Sequence, residues 1–356
     1  MAMFTLDALP LPIVQAPMAG GPSTAALAAA VSGAGGLGFL AAGYKAPDAL
    51  RADLDELRLL MADEVRFGVN VFAPPGHGAG AADVATYAET LRSEAERTAT
   101  ALGEPRWDDD RYAEKLDLLC KERVPVVSFT FGCPPPRDVQ RLHEVGAAVW
   151  VTATTPDEAG AASAAGADAL IVQGAEAGGH RGSFDDSAPG NLGLLALLQL
   201  VRATVGDALP LIATGGIATG HGVAGVLAAG AAAAQLGTAF MLCPEAATAP
   251  AHREAITQGQ TPTALTRAFT GRAARGIVNR FLNEHSAAAP SAYPEVNHLT
   301  APIRTAARQR NDVDGFKLWA GEAYELTESV PAAELIVQLV EQAQTALAAA
   351  GGRLVR

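Results

Sequence analysis

The sequence predicts an α/β fold, a (β/α)8 TIM barrel with a smaller inserted substrate or lid domain, and three observations predict it. Short apolar runs of β character alternate with helical patterns eight times along the 356 residues, the signature of βα units feeding a parallel sheet. A barrel of this kind fills about 250 residues as one unit, so the length accommodates one barrel and an appendage. Glycine-rich segments follow the last three apolar runs, where such barrels build their sites. Strand order is not readable from one sequence, and an open doubly wound sheet is the alternative arrangement of the same elements; eight parallel strands close more readily than they splay.

In chain order, strands are expected over residues 13–17, 37–41, 66–72, 126–131, 148–153, 169–173, 211–214 and 234–240. Helices are expected over 23–31, 47–61, 137–145, 156–164, 194–205 and 222–227. Pro22-Ser23, Pro47-Asp48 and Thr155-Pro156-Asp157-Glu158 place a capping oxygen, a first-turn proline or an acid where unpaired helix N–H groups point. Two stretches break the rhythm. Residues 74–105 carry Pro-Pro-Gly-His-Gly and then a charged helix over 82–98, and residues from about 245 to 320 carry His252, Arg267, Arg272, Arg275, Arg280, Tyr293 and Trp319. The domain organisation that follows is a barrel in two parts, 1–73 and 106–244. A small domain is built from 74–105 and 245–325, and a C-terminal segment, 326–356, contributes a closing helix over 329–349.

Hydrophobic residues make up 49% of the chain and charged residues 18%, enough apolar surface for a core without disulfides. The net charge of −12 disfavours nucleic acid as a partner, since no basic stretch interleaves with aromatics. Cys120, Cys133 and Cys243 are odd in number and widely spaced, with no CxxC pair. They suggest neither a disulfide framework nor a thiolate metal site, and suit a reducing cytoplasm. The N-terminus lacks a basic region before its apolar residues and is interrupted by Pro10, Pro12 and Pro17, unlike a signal peptide. No run of roughly 20 apolar residues free of charge and glycine suggests a membrane span.

The residues just past each strand are the ones to read for chemistry. The sixth strand leads into Gly174-Ala175-Glu176-Ala177-Gly178-Gly179-His180-Arg181-Gly182. Glycines there let the backbone approach a flat ligand while the imidazole projects into the site. Seen alone, such a loop with a solvated histidine is commonplace; its place after a barrel strand makes His180 the candidate base, because an imidazole accepts a proton near neutral pH without special tuning. His77, His143, His221, His252, His285 and His298 have no comparable setting and read as surface or helix-end residues; no HxxxH spacing occurs, and no metal is expected.

The seventh and eighth strands end in Thr214-Gly215-Gly216 and Gln235-Leu236-Gly237-Thr238. Uncovered backbone N–H groups on these adjacent loops suit a phosphate, although glycine also simply eases tight turns. Asn70 near the end of the third strand and Gln173 at the end of the sixth carry amides that both donate and accept, as the edge of an isoalloxazine ring requires; a buried structural amide is the rival reading of each. Cys133 reads as a packing residue near the cofactor in preference to a nucleophile, for want of an oriented base. No GxGxxG opens a helix after the first strand, and neither a GxxxxGK[ST] loop nor a GxSxG elbow is present.

These motifs resemble those of class I nitronate monooxygenases, formerly called 2-nitropropane dioxygenases, from end to end. The resemblance is carried by Gln15-Ala16-Pro17-Met18-Ala19-Gly20-Gly21, the Phe67–Asn70 strand, residues 128–134, residues 173–182, the two phosphate loops, Thr270-Gly271-Arg272-Ala273-Ala274-Arg275-Gly276 and Leu318-Trp319-Ala320-Gly321. It implies an FMN cofactor contacted by Met18, Asn70, Gln173, Gly178, Gly215, Gly216, Gln235, Leu236, Gly237 and Thr238, with Gly216, Gly237 and Thr238 at the phosphate. It implies His180 as the base, dioxygen as oxidant, and a small nitronate or nitroalkane as substrate, propionate 3-nitronate among them, converted to a carbonyl compound and nitrite. Arginines of the second insertion offer to pair a substrate carboxylate. Glu322-Ala323 stands where the family pattern suggests Gln-Gly, a departure at the substrate rim. The alternatives are an FMN-dependent NAD(P)H enoyl or quinone reductase on the same barrel, and a non-catalytic flavin or sugar-phosphate binding barrel.

Overall fold

The computed structural model describes residues 3–61, 66–74 and 80–354. Most of the Pro-Pro-Gly-His-Gly loop, His77 included, lies outside them. Nine strands follow the first part of the chain: β1 (Ile13–Gln15), β2 (Gly38–Ala41), β3 (Phe67–Phe72), β4 (Val126–Thr130), β5 (Ala148–Ala153), β6 (Ala169–Gln173), β7 (Gly179–His180), β8 (Leu211–Thr214) and β9 (Ala233–Leu236). All but β7 form one parallel sheet in the order β1-β9-β8-β6-β5-β4-β3-β2. Its ends meet. Leu37 N donates to Ile13 O and Gln15 N to Leu37 O, both at 2.9 Å, and the Gln15 side chain accepts from Phe39 N at 2.9 Å. The sheet is therefore a closed barrel, and the open doubly wound alternative is excluded.

Side-chain alternation along the strands builds two layers. Val14, Phe39, Trp150, Ile171 and Ile212 fill the barrel interior, with Phe4, Leu6 and Leu9 packed against them from the N-terminal segment. Ile13, Leu40, Val69, Val127, Val151 and Leu170 face outward into the core beneath the helices. Blocking the interior from one side leaves the other, where the strands end, to hold a ligand.

Local chemistry adjusts several expected boundaries. Helix α1 (Ala25–Gly33) is capped by Thr24, whose hydroxyl accepts from Leu27 N at 2.9 Å. Ser23, expected in that role, turns inward and accepts from Met18 N at 2.8 Å. The last barrel strand stops at Leu236, because residues Thr238–Phe240 close a tight 3-10 turn in which Phe240 N donates to Gly237 O. The helix expected over 82–98 divides at Leu91, which is fully buried, into two short helices, Ala81–Thr90 and Arg92–Thr98.

The two insertions share a second hydrophobic core, in which Val84, Tyr87 and Leu91 of the first pack on Phe269, Phe281, Leu299 and Ile303 of the second. Tyr87 also donates to Ala268 O at 2.7 Å. A small antiparallel sheet joins this unit to the barrel: β10 (Thr263–Thr266) pairs with β11 (Ala274–Ile277), and β11 pairs with β7, setting Ala274 opposite His180. The closing helix runs Ala332–Leu354 and buries Leu335, Ile336 and Leu339 in the barrel's outer core. No described helix is long and apolar enough to cross a membrane.

Candidate active site

The carboxyl ends of the strands and the small unit above them enclose a cavity of about 310 Å³. His180 lines it, as do Met18, Asn70, Gln173 and Gly178. Gly215, Gly216, Gln235, Gly237 and Thr238 complete that rim. Leu236 does not reach the cavity: at the alternate position of β9 its side chain enters the core under the helices. Cys133 does not line it either; its half-buried thiol lies 3.6 Å from Pro134 O, and burial pushes its pKa up.

Two polar side chains carry the strand ends toward the loop that bears the imidazole. Gln173 donates to His180 O at 3.1 Å and accepts from Gly182 N at 2.8 Å, so its amide clips the loop shut. Arg181, fully buried, donates to the carbonyls of Gly174, Gln173 and Gly190. Asn70 donates to Ser128 Oγ and Thr130 Oγ1, each at 3.0 Å, which aims its remaining carbonyl oxygen by holding the amide. The glycines have steric reasons. Gly216 adopts φ +66, and a Cβ there would lie 2.9 Å from Glu176 Cβ; at Gly178 it would lie 2.4 Å from Gly321 N.

His180 Nε2 lies 2.9 Å from Thr270 Oγ1, and its ring is surrounded by Phe131, Trp319 and Tyr293 at centroid separations of 5.6, 5.6 and 6.1 Å. Burial, then the charges of Lys317, Arg272 and Arg304, hold its pKa well below the usual imidazole range. Both effects favour the neutral imidazole over its charged form.

The opposite wall was not legible as a site. Arg304 and Arg308 of helix α12, spanning Glu295–Gln309, line the cavity with Lys317, and among the described residues no aspartate or glutamate does. Burial and the charges of Arg304 and Arg308 lower the Lys317 pKa to about 7. His252, expected at a surface or helix end, is buried and lines the cavity; its Nε2 lies 3.1 Å from Trp319 O, and burial takes its pKa down to about 4. The arginines singled out from the sequence have other partners: Arg267 meets Asp186, Arg275 meets Glu322, Arg280 meets Glu94, and Arg272 lies over the Phe131 ring. Glu322, the departure noted at the rim, thereby ties the segment following Trp319 to β11.

The donor set also fits a flavin. Gln235 Oε1 and Trp319 Nε1 are buried with no hydrogen-bond partner, and both residues line the cavity. Buried polar atoms of this kind call for a ligand to complete them. Thr238 Oγ1 accepts from Gly321 N at 3.0 Å, leaving its hydroxyl hydrogen to donate beside the bare Gly215, Gly216 and Gly237 turns.

A neutral imidazole facing a polar, glycine-lined pocket at the open end of a (β/α)8 barrel defines an enzyme of the barrel oxidoreductase class. The family model for nitronate monooxygenase matches residues 4–342, and the chain belongs to the nitronate monooxygenase family. A nitronate monooxygenase of Pseudomonas aeruginosa is 43% identical, with 93% of this chain and 95% of that protein covered. The solved nitroalkane oxidase of Streptomyces ansochromogenes is 49% identical, superposes with a TM-score of 0.92, and covers 97% of this chain and 99% of its own. FabK of Thermotoga maritima is more distant, at 27% identity and a TM-score of 0.76 over 98% of this chain and 97% of its own.

Proposed function

We propose that the protein holds FMN at the open ends of β6, β8 and β9 and oxidises alkyl nitronates and nitroalkanes with dioxygen, giving a carbonyl compound and nitrite. The observation that carries this reading is an imidazole, His180, held toward its neutral form and facing a wall that carries Arg304, Arg308 and Lys317 and, among the described residues, no carboxylate. Met18, Asn70, Gln173, Gly178 and Gln235 would meet the ring system of the flavin; Gly215, Gly216, Gly237 and Thr238 would meet its phosphate. A bound flavin would supply the redox chemistry that couples nitronate oxidation to the reduction of dioxygen.

The chain's own residues do the rest. With a neutral nitroalkane, His180 removes the proton from the carbon bearing the nitro group, whose oxygens take up the resulting charge and leave the base modest work. Phe131, Tyr293 and Trp319 pack around the imidazole and hold its ring in place. Arg304, Arg308 and Lys317 attract the anion. One nitronate charge answers only part of three cations, so the reading favours a substrate with a second anionic group, such as propionate 3-nitronate.

Oxygen uptake and nitrite release by the purified yellow protein test this. A carboxylate-bearing nitronate is expected to show a KM about tenfold or more below that of its uncharged-chain analogue. Rapid anaerobic bleaching of the flavin by NADH, with no nitronate present, would instead make the protein a nicotinamide-dependent reductase.

A further inference from the structure

We propose that Phe131 is a positioning residue for His180, its ring clamped between the Arg272 guanidinium and the imidazole by a backbone held in the left-handed region. The inference rests on His180 being the base of the reaction proposed above.

Phe131 is the first residue past β4, and its φ is +76. A bulky L side chain avoids that conformation, and where one persists the surroundings over-determine it, most often at a functional site. Here the surroundings are explicit. The Arg272 Cζ atom lies 4.1 Å from the ring centroid. Arg272 cannot drift, because its Nε donates to Arg181 O at 3.3 Å and its Nη2 donates to Ser183 O. Those carbonyls belong to residues one and three positions beyond His180, so the arginine grips the same loop that presents the imidazole. On its other contacts the Phe131 ring meets His180 at 90° and Phe72 at 4.6 Å. Both Phe131 and Arg272 are buried.

The ring therefore does three things at once. It holds a cation by its face, fills the space between that cation and the imidazole, and leaves the imidazole no room to turn away from Thr270. Removing it opens a gap that water enters, and the imidazole gains solvent. The charged and titratable groups around His180 are Arg272 and Tyr293 from the second insertion, Arg304 from α12, and Lys317 from the segment before Trp319; none of the described cavity-lining residues is a carboxylate. Hydration is thus the main change that Phe131 loss brings to the imidazole.

The test uses the FMN-loaded protein carrying Phe131→Ala, Phe131→Leu or Phe131→Tyr, with the His180 imidazole resonance identified by its loss in His180→Asn. In Phe131→Ala the His180 titration midpoint should rise by about one unit or more toward the ordinary value. Turnover of a neutral nitroalkane should fall about tenfold or more in kcat, with KM little changed, while oxidation of the preformed nitronate falls less. Phe131→Tyr, which keeps the ring, should retain both properties. If Phe131→Ala fails to fold, Phe131→Leu carries the test, since it loses the face that holds Arg272 and leaves part of the ring's volume open to water. An unmoved midpoint in a folded Phe131→Ala or Phe131→Leu protein overturns the proposal. A raised midpoint with undiminished nitroalkane turnover supports the positioning and refutes His180 as the base.

Discussion

Thr270 Oγ1 sits 2.9 Å from His180 Nε2 and also 3.3 Å from Arg272 O. When the hydroxyl donates to the Arg272 carbonyl it accepts from the imidazole, an arrangement that puts the proton on Nε2 and leaves Nδ1 as the basic nitrogen. Thr270→Val removes that choice while keeping the shape. Nitroalkane kcat is expected to fall about tenfold, with nitronate oxidation nearly unchanged; equal losses on the two substrates would show that Thr270 serves only structure.

Gly216→Ala should release the flavin. Its φ of +66 disfavours any side chain, and the new methyl would press on Glu176 Cβ at 2.9 Å. The cost of such crowding is about 1–3 kcal/mol, and it falls on the turn proposed to hold the phosphate. Dialysis followed by absorbance at the flavin bands should show a weaker-binding variant with normal secondary structure. Full retention of flavin would remove this turn from the cofactor site.

Lys317 should make substrate binding depend on pH. With a folded pKa of about 7, its amine carries a proton below that value and loses it as pH rises through it. For a carboxylate-bearing nitronate, KM should therefore be low on the acid side of pH 7 and climb above it, and Lys317→Met should flatten the profile. A flat profile in the unaltered protein would show that the amine does not meet the anion.

Glu94 ties the first insertion to the second. Its buried carboxylate is raised by desolvation, yet the hydrogen bonds from Arg280 at 2.6 and 2.8 Å and from His285 at 3.3 Å more than offset this and keep its pKa below the ordinary carboxylate value. The stabilisation is present above the unfolded pKa and is lost as pH falls through the lower folded one. Glu94→Ala should cost about 3 kcal/mol by urea unfolding, because it leaves His285 without its carboxylate and Arg280 with only the exposed Glu284. A loss under about 1 kcal/mol would mean the network is solvated.

The barrel was legible because its strands are short apolar runs, buried on both faces, set between helical patterns and each followed by a glycine, cap or proline signal. His180 was legible for the same reason, standing just past a strand. The cationic wall was not, since it is set by tertiary packing: Arg304 and Arg308 share one face of α12 by their i, i+4 spacing, but nothing local says that this face meets the cavity. That spacing was the one usable signal. The two-residue strand Gly179–His180 is too short to show any period, and its pairing with β11 exists only across about ninety residues of chain. Thr24 replaced Ser23 as a cap because the serine hydroxyl had a better use under the Met18 turn.

The most direct test of the account compares His180→Asn on two substrates in one oxygen-electrode assay: a neutral nitroalkane and its preformed nitronate. The account predicts that nitroalkane turnover is abolished, by a factor of about 10² or more, while the nitronate is still oxidised. Equal loss on both, in a protein that still binds flavin, would contradict proton abstraction by His180.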